Sequence, residues 1–349
     1  MSELRPIELR SDNAAGAAPE IVDAVVRANA GSALAYGDDD WTARLQEVAR
    51  RVFEHETARV FPVVSGTAAN SLALAAMCPP WGAVLCHETA HIVQNECGAT
   101  SMYGGGAVMR GLPGDDYRLQ RSSLEHAFAA TGWGDNHVSQ PKVLSLTLPS
   151  DHGTVYRPAE IADLAGLAAE RGLRVHVDGA RVANAIAALG CTPADVTWRA
   201  GVHALSLGAI KNGALSTDAI VSFDDRVTDE LYYRLKRAGH VASKMRYQSA
   251  QLEAYLSDDL WLRSARRANQ AMAQLAAGLA GLGVELTNRP DVNMVFARVP
   301  DTVVDRLEQA GLLFYRISPG TIRLVTSFQT SDADVDEALA RVERALDGR

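Results

Sequence analysis

The chain has 349 residues, 47% of them hydrophobic and 22% charged, with a formal net charge of −8. That composition is ordinary for a folded globular protein and excludes a disordered or collagen-like chain, while the length predicts one large domain with a smaller one attached. The acidic balance argues against a nucleic-acid partner, which requires a basic face, and leaves small molecules as the expected ligands.

The opening "MSELRPIELRSDNAAGAAPEIVDAVVRANA" has no basic start followed by an unbroken apolar run, and no later stretch reaches about 18 apolar residues. No membrane contact is expected, and the simplest location is cytoplasmic. Cys78, Cys86, Cys97 and Cys191 show no C-x-x-C spacing, so reduced and mostly buried thiols are expected.

Through the first two thirds, β-rich runs alternate with helical patterns: "RVFPVVS" then "TAANSLALAAM", "GAVLC", "AVMRGL", "KVLSLTL", "LRVHV", "VHALSLG" and "DAIVSF". Such alternation predicts a largely parallel sheet covered by helices. In one unit Pro158 opens a helix with Ile161, Leu164, Leu167 and Ala168 on one face, Gly172 closes it, and "LRVHV" follows as a strand. From about residue 227 long helical segments take over, including "LYYRLKRAGHVASKMRYQSAQLEAYL". Strand-like "VELT", "NMVFARV" and "IRLVTSF" follow, then a helix with Val335, Leu339, Val342 and Leu346 on one face, which predicts a smaller α+β domain.

"HETAH", His87 to His91, matches the H-E-x-x-H pattern of zinc proteases. A zincin needs the pentad inside a helix so that both imidazoles share a face, whereas here it directly follows the strand-like "GAVLC". No metzincin histidine follows, and Glu96 and Cys97 stand at no familiar ligand spacing. No metal site is expected.

Four features recur at predicted strand ends, where open α/β sheets place their ligands. "VVSGTAAN" is a strand, a Ser65-Gly66-Thr67 turn and a helix start, which suits a phosphate; an ordinary helix cap is the plainer alternative. "RVHVDGAR" ends a strand with Asp178, a metal ligand, a cap or the partner of a protonated ring nitrogen, and then presents Arg181. There are four lysines against thirty arginines, and Lys211 alone follows an apolar strand, "VHALSLGAI". Desolvating an ammonium there is costly unless the amine is paired or used, as in a Schiff base. His91 offers a flat ring to stack on a planar cofactor, or is a satisfied structural histidine. Phosphate cradle, carboxylate, lysine and ring together meet the needs of pyridoxal phosphate. The glycines of "YGGGAVMRG" lack G-x-G-x-x-G spacing and disfavour a nicotinamide dehydrogenase.

With "LRSDN", "AYGDDDWT", "SGTAANSLAL", "ETAHIVQNECGA", "HVDGARVANA", "IKNGA", "SKMRY" and "IRLVTSF", the chain resembles the low-specificity L-threonine aldolase family of fold-type I pyridoxal-phosphate enzymes over nearly its whole length. The resemblance implies an aspartate-aminotransferase-like α/β large domain with a mainly parallel sheet and a small C-terminal α+β domain. Residues 1–20 would contribute to the active site, 21–250 would form the cofactor-binding domain, and 251–349 the small one.

It further implies that Lys211 holds the cofactor as an imine, Asp178 pairs with the pyridine nitrogen, Arg181 lies near the ring hydroxyl and His91 stacks on the ring. The Ser65-Gly66-Thr67 turn would hold the phosphate, and Arg246 would reach a neighbouring subunit's phosphate. Ser11 and Arg323, with Arg181 nearby, would hold the substrate carboxylate, and Tyr36 would line the other subunit's site, in a dimer of catalytic dimers. The implied reaction is retro-aldol cleavage of L-threonine, L-allo-threonine or phenylserine to glycine and an aldehyde.

Two departures stand out. Where many members carry His-Asn-Gly for the substrate hydroxyl, this chain has "SDHG", leaving Asp151 and His152 both as candidates, with His91, for the base. Ile210 replaces a common hydroxyl residue before the lysine. The alternatives are a β-eliminating lyase or another aldolase with the same cofactor residues, and a catalytically silent binding or regulatory protein.

Overall fold

The computed structural model describes residues 5–348, so the first four residues of the expected segment 1–20 lie outside the described residues. After a short strand, Ile7–Glu8 (β1), come Arg59–Val63 (β2), Gly82–His87 (β3), Val108–Leu112 (β4), Gln140–Thr147 (β5), Arg174–Gly179 (β6), Ala204–Leu207 (β7) and Asp218–Ser222 (β8). Each strand-like run of the first two thirds falls on one of these. β2 to β8 form a seven-stranded sheet in the order β2-β8-β7-β6-β5-β3-β4. The block β7-β6-β5-β3-β4 is parallel, and β8 runs antiparallel to both of its neighbours.

Both faces of this sheet are covered. Along β3, Leu85 joins one core with Leu144, Val175 and Leu205, while Val84 and Cys86 join the other with Leu72, Ile220 and Leu231. The two-residue period of a strand divides one apolar run between two cores.

Beyond residue 284 the strands are short: Glu285–Leu286 (β9), Met294–Arg298 (β10), Leu312–Leu313 (β11), Tyr315–Ser318 (β12) and Thr321–Val325 (β13). They form an antiparallel sheet, β12-β13-β10-β9, with β11 paired in parallel to β1. A separate core of Met272, Leu275, Leu279, Val295, Leu324, Val335 and Val342 also takes in Ile7 and Leu9. The helix Leu260–Gly281 gives Trp261 and Ala265 to the large core and Met272 to Leu279 to the small one.

The N-terminal segment bridges the two parts. Val325 donates to the Leu9 carbonyl at 2.8 Å, and nine residues later Ala18 donates to Gly213 at 2.8 Å, beside the turn that carries Lys211.

The long helical stretch from residue 227 is broken. One helix, Asp225–Arg237, closes on Gly239 at φ +80, and a second, Arg246–Leu256, begins after a non-helical link. A left-handed glycine just past a helix end is a strong stop signal. Only Cys78 and Cys86 are buried, whereas Cys97 is exposed and Cys191 half-buried, all as free thiols. Among the described residues no helix is long and apolar enough to cross a membrane.

Candidate active site

The segments leaving one edge of the parallel block enclose a cavity of about 240 Å3. Its walls are Ser65, Gly66 and Thr67 after β2, His91 and Glu96 after β3, and Thr147, Pro149 and Asp151 at the end of β5. Asp178 and Arg181 come from the end of β6, Lys211 follows β7, Asp218 starts β8, and Asn13 arrives from the N-terminal segment.

At one end, Ser65 caps the helix Gly66–Met77 in extended backbone, its Oγ accepting from the Ala68 N–H at 3.3 Å. The first-turn N–H groups have no partner within the helix and make an anion-ready terminus. Asp218 Oδ1 accepts from Ala209 N (2.7 Å) and Ile210 N (3.0 Å), closing the turn before Lys211. Just after it, Asn212 donates to the Tyr255 hydroxyl (3.0 Å) and the Trp261 carbonyl (2.8 Å). The lysine thus rises from a clamped turn. Gly208 is required on its approach, since a Cβ there would lie 2.2 Å from the Ala180 carbonyl oxygen.

The Lys211 amine is held below the usual lysine range, first by the Arg181 guanidinium and then by burial. Both disfavour the ammonium and favour the free amine that attacks an aldehyde. Asp178 is fixed at both oxygens: Oδ1 accepts from the Ala180 N–H (3.1 Å) and Oδ2 from Asn70 Nδ2 (3.0 Å). The same Asn70 nitrogen donates to Glu96 Oε1 at 2.8 Å, and that oxygen lies 2.9 Å from His91 Nδ1.

Arg181 is tied to Asp12 by two hydrogen bonds, 2.6 Å from Nε and 2.8 Å from the guanidinium terminus, and Asn293 Nδ2 also reaches Asp12 at 3.0 Å. Burial opposes the Arg181 charge, yet Asp12 outweighs it and leaves the guanidinium pKa raised. Ser11 starts the turn bearing Asp12, its Oγ accepting from the Asn13 N–H at 3.2 Å. Arg323, on β13, has a buried Nε without a partner. Its charge is disfavoured by burial and by Arg181, and it stands near enough to Asp12 and Asp151 to feel theirs.

The two "SDHG" candidates part company. Asp151 lines the cavity with a buried, unpartnered Oδ2, and burial, then the charge of Asp178, raises its carboxyl above the usual range. His152 turns away and lies flat on Tyr117, ring centroids 3.4 Å apart, with Phe296 on the other side at 4.7 Å. Tyr36 and Arg246, and likewise Ser11 and Arg323, also lie outside the wall of this chain's cavity. The exposed Tyr36 ring sits under the Lys236 ammonium, its backbone N–H bonded to Ser243, and Arg246 donates to the Gly31 carbonyl at 3.2 Å. The sequence reading missed Asp12, Asn70 and Asp218 altogether, and weighed Glu96 only as a metal ligand.

His87 ends β3 and His91 opens a short helix, His91–Gln94, so the pentad does not lie on one helix. Among the described residues no three His, Cys, Asp or Glu side chains are grouped to hold a metal.

A planar pyridine aldehyde with a phosphate arm suits the cavity. A buried low-pKa amine, a doubly held carboxylate, a helix N-terminus and an imidazole face the same space. The sheet order and this strand-end cavity define an aspartate-aminotransferase-like, fold-type I enzyme, a class that depends on pyridoxal phosphate.

Comparison with known proteins narrows the class. Residues 8–302 match the family model described as beta-eliminating lyase. The chain is 40% identical to the low specificity L-threonine aldolase of Pseudomonas aeruginosa, covering 98% of each. A solved threonine aldolase from Leishmania major superposes with a TM-score of 0.90 at 26% identity, over 96% of this chain and 98% of that one. An aspartate aminotransferase from Rhodobacter sphaeroides shares the fold alone, with a TM-score of 0.68 at 17% identity over 98% and 93%. The chain belongs to the low-specificity L-threonine aldolase family, within the beta-eliminating lyases.

Proposed function

We propose that this protein is a pyridoxal-phosphate-dependent aldehyde-lyase that cleaves L-threonine, L-allo-threonine and related β-hydroxy-α-amino acids such as phenylserine to glycine and an aldehyde. The observation that carries the reading is the convergence of Lys211 and Asp178 on one strand-end cavity closed by the Ser65–Thr67 helix start. Lys211 would hold the cofactor aldehyde, Asp178 its ring nitrogen and His91 its face. Ser65, Gly66 and Thr67 would take its phosphate, with Arg181 beside the ring. When bound, the pyridine ring acts as an electron sink for the Cα–Cβ bond electrons.

The chain's own groups supply binding and proton transfer. Arg323, with Ser11, is the cation for the substrate carboxylate, because Asp12 already neutralises Arg181. Fixing that carboxylate orients the scissile bond. Asp151, which lines the cavity and bears a buried, unpartnered Oδ2, accepts the β-hydroxyl proton as the aldehyde leaves.

Tyr36 and Arg246 share one surface region through the Tyr36–Ser243 backbone bond, which supports their reaching a neighbouring subunit's site in a homotetramer built as a dimer of dimers. Residues 21–250 then form the cofactor domain, 251–349 the small domain, and the N-terminal segment supplies Ser11 and Asp12. Free thiols at all four cysteines suit the reducing cytoplasm.

The test is to incubate the protein with L-threonine, L-allo-threonine and phenylserine and measure glycine and aldehyde against pyruvate and ammonia. Pyruvate and ammonia as the main products would make it a β-eliminating enzyme instead.

A further inference from the structure

Among the groups that line the cavity, Glu96 has no part in holding cofactor or substrate, yet it is 4% exposed and bears a buried oxygen, Oε2, without a partner. Leaving such an atom unpaired is costly, the more so for a charged group. Its other oxygen is the meeting point of His91 and Asn70, and Asn70 continues to Asp178. The helix His91–Gln94 stops after one turn, and Cys97, directly after Glu96, is left-handed at φ 50, a conformation uncommon outside glycine.

The hydrogen count fixes the roles. An ionised carboxylate only accepts, so His91 Nδ1 must donate to it, and the neutral imidazole then carries its lone pair on Nε2. Asn70 Nδ2 has two hydrogens and gives one to each carboxylate.

We propose that Glu96 is a positioning residue for His91, holding the proton on Nδ1 and leaving the lone pair on Nε2, and that Asn70 locks this pair to Asp178. One amide thereby sets both the ring expected to stack on the cofactor and the carboxylate expected to face its nitrogen. This rests on the proposed function only for what His91 and Asp178 serve.

The charges facing His91 agree with this arrangement. Glu96 lies in its own loop, Asp151 comes from the β5 exit and Asp178 from β6, while Arg181 and Lys211 line the same cavity. The Glu96 hydrogen bond, against burial and with help from Asp151 and Asp178, raises the His91 pKa.

The test is an NMR titration of the full-length protein labelled with ¹⁵N-histidine, as isolated and again after removal of any bound cofactor, with the His91 signal identified by its loss in His91→Phe. In Glu96→Gln the His91 midpoint is expected to shift to lower pH and the Nδ1-protonated tautomer to lose its dominance. In Asn70→Ser the midpoint is expected to stay high while the visible spectrum of the loaded protein shifts. A wild-type midpoint and tautomer in Glu96→Gln would overturn the proposal. If that variant does not fold, Glu96→Asp, which withdraws the charge by one methylene, is read the same way. Neither readout needs turnover, so an inactive wild-type protein would sink the aldolase reading and leave this result standing.

Discussion

Asp12 and Arg181 form a bidentate ion pair whose side chains are only 2% and 10% exposed, joining the N-terminal segment to the exit of β6, the middle strand of the seven-stranded sheet, across 169 residues. Removing one partner of such a pair leaves an uncompensated buried charge and costs about 3–5 kcal/mol. Asp12→Ala is expected to lower the unfolding free energy measured by urea titration by that much and to abolish activity, with Asp12→Asn less severe. Arg181 holds the Asp12 carboxyl below its ordinary value against the opposing effect of burial. The stabilisation is therefore full above the unfolded pKa and is lost as pH falls through the folded one. Acid unfolding of Asp12→Asn should lack this part of the transition.

Lys211→Ala is expected to remove the visible absorbance of the loaded protein and the release of aldehyde together. Its turn is clamped by Asp218 and Asn212 rather than by the lysine itself, so the variant should keep its thermal midpoint. Full activity in this variant would overturn the assignment of Lys211.

What could be read in the sequence follows from locality. Strand and helix identity, the Ser65 cap and the strand-end lysine each show in a short window, because the period of burial and the cap are short-range. Glu96 was visible but uninterpretable, since its partner Asn70 lies 26 residues away and Asn70's second partner, Asp178, 108 away. Asp12 stood next to Ser11 in "LRSDN", yet nothing near it announces Arg181. Asp151 and His152 are adjacent, and only the packing of Tyr117 and Phe296 against His152 separates their roles.

Asp151→Asn is expected to lower kcat for L-threonine about 10²–10⁴-fold, the usual range for loss of a general base. Because burial raises the Asp151 pKa and the base must be deprotonated, wild-type activity should rise with pH through a midpoint above the ordinary carboxylate range. That limb should vanish in the variant. A wild-type profile in Asp151→Asn would move the role to His91.

Treatment with a chelator is expected to leave aldehyde release unchanged, and elemental analysis to find zinc well below one per chain. His87 Nδ1 is engaged at 2.8 Å by Thr89 Oγ1 and His91 Nδ1 by Glu96, so the two histidines of "HETAH" are held by different partners. Stoichiometric zinc lost in His87→Ala would revive the hydrolase reading.

The ring of His152, sandwiched between Tyr117 at 3.4 Å and Phe296 at 4.7 Å, joins the β5 loop to the small domain. Burial, reinforced by His87 and Arg323, lowers its pKa from 6.5 to about 4. A histidine kept neutral in the fold stabilises fully above its unfolded pKa and loses that contribution as pH falls from 6.5 toward 4, where the unfolded chain takes up the proton first. His176, wholly buried between Ser145 and Ser206, is lowered to about 4 by burial as well, so the window is shared. His152→Phe keeps the stack and removes the titration. Its melting temperature should fall less than that of the wild type between pH 6.5 and 4, with His176 and the other histidines whose pKa burial lowers, His87, His203 and His240, left to contribute to the remainder. His152→Ala should instead lose stability at every pH, by about 0.5–1.5 kcal/mol for each aromatic contact removed. Equal pH dependence in His152→Phe and wild type, measured by calorimetry, would show that His152 is protonated alike in both states.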